Sequence, residues 1–343
     1  MSLTAPGGAS FGIRAPGVTM RPADSCAAVA DHQGEDHFAT APAVQWWLGI
    51  EHPGAWHRDP FDQGFDPCAG EALKRWAQVP GARCLALRRP PGSPQSSLER
   101  NVLFCASRCD GTSSPDSGLD LFTTTVGHES ELLSFLSRPP GRVAASECGF
   151  GPADHKGSIY LVCTHAGRDG CCGRDGRPVA AALAQLRPGH VWECSHLGGH
   201  RFAANVLVLP SGTLYGRVTP TITAELADSV DRNALIPAWY RGRATLGRAT
   251  QAAEHFLRRE LGLWGLDDVR LDPDDADTDS RIGICIDGPA SVVLLVGDHQ
   301  RWRVGVAPVA IGERAISCGT ATTEDPGSFR LDFLRRLGQQ PSD

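Results

Sequence analysis

Two short segments constrain this chain more than anything else in it. Cys163-Thr-His165-Ala-Gly-Arg-Asp-Gly-Cys171-Cys172 and Cys194-Ser-His196-Leu-Gly-Gly-His200 hold four of the twelve cysteines and three histidines. Each follows an apolar run, Ser158–Cys163 and His190–Ser195, and so falls where a strand gives way to a loop, a place that holds ligands firmly yet leaves them accessible. The glycines between His196 and His200 allow positive φ and a close approach of backbone, so a tight loop can aim both imidazoles at one centre. Cys163 ends the first strand. Cys172 follows nine residues later across Gly167 and Gly170, on what reads as a flexible loop that returns the second thiol. Cys171 stands beside it as a second choice, and Cys194 is a reserve ligand.

Two thiolates and two imidazoles suit zinc or an iron–sulfur centre, and do not suit calcium or magnesium. Structural zinc sites usually pair ligands two to four residues apart, so the spacing of Cys163 and Cys172 counts against zinc, although the histidine spacing fits. On a 2Fe-2S cluster, two histidines in place of two cysteines remove negative charge and raise the reduction potential. Histidines with an exposed second nitrogen can also take up a proton on reduction.

Composition narrows the classes. Asp and Glu outnumber Lys and Arg, 39 to 33, for a net charge of −6. No basic tract occurs, which argues against a nucleic-acid partner. No apolar run approaches the ~18 to 20 residues that span a bilayer, and Met1 to Pro22 lacks the pattern of a secretion signal. The expectation is a cytoplasmic protein with no membrane partner, in which clustered thiols mean metal or redox chemistry more than a disulfide framework.

Residues 1–38 are Gly-, Pro- and Ala-rich and predict a flexible arm. Strands are predicted at Val44–Ile50, Arg83–Leu87, Asn101–Ala106 and Leu119–Thr125, with a short helix at Ala69–Ala77 and polar loops at 90–97 and 110–117. A second unit follows. Strand Ser158–Cys163, a helix Arg177–Leu186 with Pro178 in its first turn, strand His190–Ser195, and a hairpin of Asn205–Leu209 with Thr213–Val218 lead to a helix Leu246–Glu260 capped by Thr245. Both units run strand, helix, strand, hairpin, which suggests a degenerate internal repeat. The tail predicts strands at Arg281–Asp287, Val292–Val296 and Trp302–Val309. Cys26, Cys68, Cys84, Cys105, Cys109, Cys148, Cys285 and Cys318 are expected to be small buried hydrophobes rather than ligands.

The residues Cys163-Thr-His165, Arg168-Asp169, Cys171-Cys172 and Trp192-Glu-Cys-Ser-His-Leu-Gly-Gly-His-Arg-Phe-Ala203 resemble the sucrase/ferredoxin-like family of thioredoxin-fold 2Fe-2S proteins. Ala39-Thr-Ala-Pro, Trp47-Leu48, Glu51-His-Pro-Gly-Ala-Trp56 and Tyr240-Arg-Gly-Arg243 extend the likeness over most of the chain. The resemblance implies a cluster held by Cys163, Cys172, His196 and His200. It also implies an α/β fold with a thioredoxin-like 2Fe-2S domain, here at 151–265; an amino-terminal α/β domain at 39–150 precedes it, and the alternating pattern after it predicts a small β extension and tail at 266–343. The function so implied is one-electron transfer to an unidentified redox partner protein, with no catalytic residues. A structural zinc domain serving as an interaction module is the alternative. The chain has no Cys-x-x-Cys for dithiol exchange. His165 is expected to make loop hydrogen bonds. Arg168, Arg174, Arg177 and Arg201 are expected to form a solvated face more than a docking rim. Trp46, Trp47, Trp56 and Trp76 are expected in the core.

Overall fold

Alternating apolar residues become strands with two different faces. In the computed structural model, which describes residues 22–93, 99–108, 118–153, 157–272, 289–297, 300–318 and 323–338, a short helix α1 (Cys26–His32) precedes the first half of the chain. That half runs β1 (Trp46–Glu51), α2 (Pro67–Trp76), β2 (Ala82–Arg88), β3 (Arg100–Ser107), β4 (Leu119–Val126), the short helices α3 (Leu133–Leu136) and α4 (Arg142–Glu147), and a two-residue β5 (Gly151–Pro152). The second runs β6 (Ile159–Cys163), α5 (Gly170–Leu186), β7 (Val191–Cys194), β8 (Val206–Leu209), β9 (Thr213–Tyr215), α6 (Thr223–Asp231), β10 (Tyr240–Arg243) and α7 (Arg248–Leu261). All ten strands join one mixed sheet of order β10-β9-β8-β6-β7-β2-β1-β3-β4-β5.

The order is the same in each half. β1 and β2 are parallel across α2, β3 is antiparallel to β1, and β4 to β3. β6 and β7 are parallel across α5, β8 is antiparallel to β6, and β9 to β8. The halves meet where β2 and β7 pair antiparallel, Leu87 opposite Cys194 and Arg88 opposite Glu193. Arg88 also forms an ion pair with Glu193 at 2.6 Å, and Ser195 exchanges hydrogen bonds with the backbone of Ala86.

Period-two alternation divides the side chains. Leu48, Ile50, Cys84 and Ala86 pack with Leu73 and Trp76 of α2 and with Phe104, Phe135 and Phe150. Tyr160 and Val162 pack under α5 and α6. Trp47, Leu85 and Leu87 from the first half share a third cluster with Leu161, Cys163, Trp192, Cys194 and Leu207 from the second. This shared core contains Cys172 as well.

A second sheet, of order β11-β12-β13-β16, follows α7: β11 (Val269–Leu271), β12 (Ala290–Val296), β13 (Gln300–Val309) and β16 (Ser328–Arg336), with the small pair β14 (Arg314–Ala315) and β15 (Thr323–Glu324) between the last two. Ala249, Ala253, Phe256 and Leu257 of α7 cover it. Among the described residues no helix is long and apolar enough to cross a membrane.

Several expectations are corrected. α5 begins at Gly170, seven residues before the expected start, because Asp169 caps it, its side chain accepting from Cys171 N–H; Pro178 is therefore inside the helix. α7 begins at Arg248 with Gly247 as its N-cap, and Thr245 is buried instead. Part of the expected arm is ordered as α1, capped by Ser25. The strand expected at 281–287 lies outside the described residues, as do Cys109, Cys285 and most of the two polar loops. Cys68 is exposed, and Cys148 is only half-buried.

One buried charge network ties the two sheets together. Glu254 on α7 accepts from Arg243 at 3.0 Å, from Arg258 at 3.0 Å and from Tyr240 Oη at 3.1 Å, while Arg258 also reaches the carbonyls of Gly265, Leu266 and Val269. Both guanidiniums are fully buried. Glu254→Ala leaves them uncompensated and should cost about 3–5 kcal/mol in urea denaturation; a loss under about 1 kcal/mol would mean the pairing is not structural.

Two histidines make the fold acid-sensitive. Burial, with Arg217 and Arg241 nearby, pushes His37 down to about 3, and burial with Arg259 nearby pushes His255 down to about 4. The unfolded chain protonates both below about pH 6.5, whereas the folded chain does not, so stability is full above that pH and falls as the pH drops toward 4. Stability at pH 5 should be about 2–4 kcal/mol below that at pH 7.5. His255→Phe, which keeps the 4.4 Å stack on Phe38, should flatten the profile.

Candidate metal centre

β6 and β7 are parallel neighbours, so their carboxyl ends coincide: Cys163 and Cys194 share a register position. Ligands in such sheets are taken up beyond the carboxyl ends of the strands. The chain leaving β6 turns into α5, and Cys171 and Cys172 occupy the first turn of that helix rather than a flexible loop. The helix can start this close to the strand because Gly176 has no side chain. A Cβ there would stand 2.0 Å from the carbonyl oxygen of Cys163.

The chain leaving β7 forms the second wall. Gly198 and Gly199 both have positive φ, and a Cβ on Gly199 would stand 2.4 Å from the Arg241 guanidinium. Three side chains hold the carbonyls of this loop: Arg83 donates to Leu197 O at 2.8 Å, Arg241 to Gly198 O at 3.0 Å, and Asn205 Nδ2 to Gly199 O at 2.9 Å. Arg241 is itself fixed by Asn205 Oδ1 at 2.7 Å and Thr40 Oγ1 at 3.0 Å.

The Sγ atoms of Cys163 and Cys172 and a ring nitrogen of His196 all lie within 4.8 Å of one another. His200 stands next to them, its ring centroid 5.0 Å from that of His196, but outside that tight group. The Nδ1 atoms of His196 and His200 are buried and have no hydrogen-bond partner among the described residues. Buried polar nitrogens left in this state are costly, and a metal ion is a partner that would satisfy them. The Nε2 of His200 lies 3.8 Å from Asp169 Oδ2, close enough for charge to act between them but beyond a hydrogen bond.

Electrostatics favour a thiolate. A hydrogen bond from Cys172 holds Cys163 well below the ordinary thiol range against the effect of burial, with His196 and the Leu197 N–H adding to it; Cys172 is raised in turn. Fully buried Arg241 and half-buried Arg83 add positive charge beside these thiols. Burial pushes Arg241 down to about 9 while the charges of Cys163 and Cys172 pull it back up. Burial likewise lowers Arg83, and Cys163 opposes the shift.

The remaining sequence candidates fall elsewhere. Cys194 is fully buried in the shared core, where burial raises its thiol, and it joins neither donor group. Cys171 points into a different group with Cys26, Asp169 and Cys318. His165 is buried with its Nε2 2.6 Å from His57 O. Arg174 and Arg201 are paired with Asp175 and Glu35, each at 2.8 Å, and Arg168 and Arg177 are exposed. Sequence reading missed Arg83, Asn205 and Asp169 as positioning residues. Arg241 lay within the quoted Tyr240–Arg243 stretch, but a fully buried arginine gives no periodic signal.

Residues 38–242, more than half of the chain, match the family model described as sucrase/ferredoxin-like. Two curated relatives both carry the name altered inheritance of mitochondria protein 32. The one from Eremothecium gossypii is 28% identical over 118 residues, and the one from Meyerozyma guilliermondii 30% identical over 112. These matches take in 30% and 29% of this chain, and the chain spans only 37% and 40% of the relatives' own lengths. No solved structure matches the chain. The relatives' names correct the expectation of a one-electron carrier, and its alternative of a zinc interaction module: they name an effect on mitochondrial inheritance and neither of those roles.

The approach of α5 to β6 is open to direct test. Gly176→Ala should cost about 1–3 kcal/mol or more in urea, because helix and strand must separate. Gly170→Ala, where a Cβ meets nothing within 4 Å, should be close to neutral. Equal effects at the two positions would contradict the packing described.

Proposed function

Since the chain belongs to the sucrase/ferredoxin-like family, we propose that its function rests on binding a metal centre at Cys163, Cys172, His196 and His200, and that the occupant is a 2Fe-2S cluster. The observation that carries this reading is a pair of buried thiols facing a pair of imidazoles whose Nδ1 atoms lack partners. His200 stands outside the group within 4.8 Å. Donors spread in this way suit two metal atoms better than one tetrahedral ion, whose four ligands must close to within a single coordination shell. When bound, such a cluster supplies an iron–sulfur centre less negative than an all-thiolate one, since two neutral ligands replace two anionic ones.

The protein's own residues do the rest. Cys163 and Cys172 anchor the sulfur end within the shared core, and Arg83 and Arg241 offset the anionic charge there. His196 and His200 form the half-buried end. Both must be neutral to ligate, so acid weakens the site from this side. By joining the end of β6, the start of α5 and the Gly-Gly loop, the centre acts as a clasp on the second half of the sheet. We further read each half, with its strand–helix–strand–hairpin order, as thioredoxin-like and the two as a degenerate repeat. Every described cysteine is free, in keeping with the cytoplasmic setting we propose.

The test is anaerobic loading with iron and sulfide, followed by metal and acid-labile sulfide analysis. About two irons and two sulfides per chain are expected, with visible colour. Cys163→Ala and His196→Ala should lose both; Cys194→Ala should keep them. Stoichiometric zinc without labile sulfide, or full loading of the Cys163→Ala variant, would overturn the reading.

A further inference from the structure

A second set of thiols lies on the other side of the α5 start. Successive residues on a helix point about 100° apart, so Cys172 faces the shared core while Cys171 faces α1 and the carboxyl-terminal segment. There Cys171 Sγ is 3.6 Å from Cys26 Sγ and 3.3 Å from Cys318 Sγ, and Cys26 and Cys318 are 3.5 Å apart. Three regions of the chain separated by more than a hundred residues thus converge on one point. Asp169 completes the group, both of its carboxylate oxygens lying 3.8 Å from Cys26 Sγ.

We propose that Cys26, Cys171, Cys318 and Asp169 form a second metal site, which takes a single thiophilic divalent ion, zinc. The spacing sets the nuclearity. Thiolates about 2.3 Å from one zinc in a tetrahedron stand about 3.8 Å apart, close to the three separations found. Ligands of an iron–sulfur cluster are distributed over different irons and need more room. The three sulfurs are also well beyond the ~2.05 Å of a disulfide.

Asp169 has a donor position to give. Its Oδ2 already accepts from Cys318 N–H at 2.9 Å and Ser317 Oγ at 3.1 Å, whereas its Oδ1 accepts only from Cys171 N–H, at 2.9 Å, among the described backbone and hydroxyl donors. Oδ1 is therefore the fourth ligand, and the same hydrogen bonds fix its direction. Cys26 and Cys171 are buried and Cys318 is exposed, which gives the ion an entry side. Binding displaces the thiol protons to solvent and changes no oxidation state. The site would pin α1 and the carboxyl-terminal segment onto α5.

The test uses the full chain, reduced and metal-free, with zinc alone as the probe, and follows alkylation of each cysteine by peptide mass spectrometry. Zinc should slow alkylation of Cys26, Cys171 and Cys318 together by about tenfold or more, because bound thiolates are poor nucleophiles. The protection should persist in a His196→Ala, His200→Ala double variant, so failure of the cluster reading leaves this result intact. Cys318→Ser, at the exposed position, should remove the protection of Cys26 and Cys171 and one zinc equivalent, with far-ultraviolet circular dichroism unchanged. Unchanged alkylation of the three thiols in wild type on adding zinc, or equal zinc content in wild type and Cys318→Ser, would overturn the proposal.

Discussion

The thiol–imidazole end of the molecule depends on how near α5 comes to the last residue of β6. That approach places the first turn of a helix, with two consecutive cysteines, against a strand end that carries a third. It is permitted by the missing side chain of Gly176 above the Cys163 carbonyl. Asp169 then starts the helix so that its first turn brings Cys172 back to Cys163. Strand, cap and helix contact form one device, and the thiol pair is its product.

Charge is arranged on the same parts. Arg241 is buried at real cost and Arg83 is half-buried, and the two do two things: their donors hold the carbonyls of Leu197 and Gly198, and their charge acts on the thiols. A loop rich in glycine would otherwise be loose, since glycine loses more conformational freedom on ordering than any other residue. Here each carbonyl between His196 and His200 has its own side-chain donor, so the backbone that carries the imidazoles is fixed by the protein's own contacts.

Much of this was legible in the sequence, and the reasons for the rest are specific. Apolar runs exposed the strands from Val44–Ile50 to Thr213–Val218, because a sheet covered on both faces needs apolar residues at successive positions. The cysteine and histidine segments marked the site because soft donors cluster for few other reasons. The start of α5 is hidden because Gly170, Gly173 and Gly176 read as loop, when Gly173 and Gly176 are glycines demanded by tertiary contact with Ala166 and with the Cys163 carbonyl. The second half of the donor geometry was invisible for another reason: Cys26 and Cys318 are far from Cys171 in sequence, and a solitary cysteine looks the same whether it is packing or ligating. Buried arginines such as Arg241 follow no periodicity. Only the fold supplies their partners.

The antiparallel seam between β2 and β7 also governs how the chain can be divided. The carboxyl ends of the two strands pair across that seam, Leu87 with Cys194 and Arg88 with Glu193, and beneath it Trp47, Leu87, Trp192 and Cys194 share one apolar layer. A fragment cut near residue 150 would therefore present a bare ribbon of unsatisfied amides above a greasy underside, the combination that draws a chain into self-association. The amino-terminal half, which contributes no cysteine to the principal thiol–imidazole group, thus has a duty all the same: it is the permanent cover that keeps its neighbour dissolved.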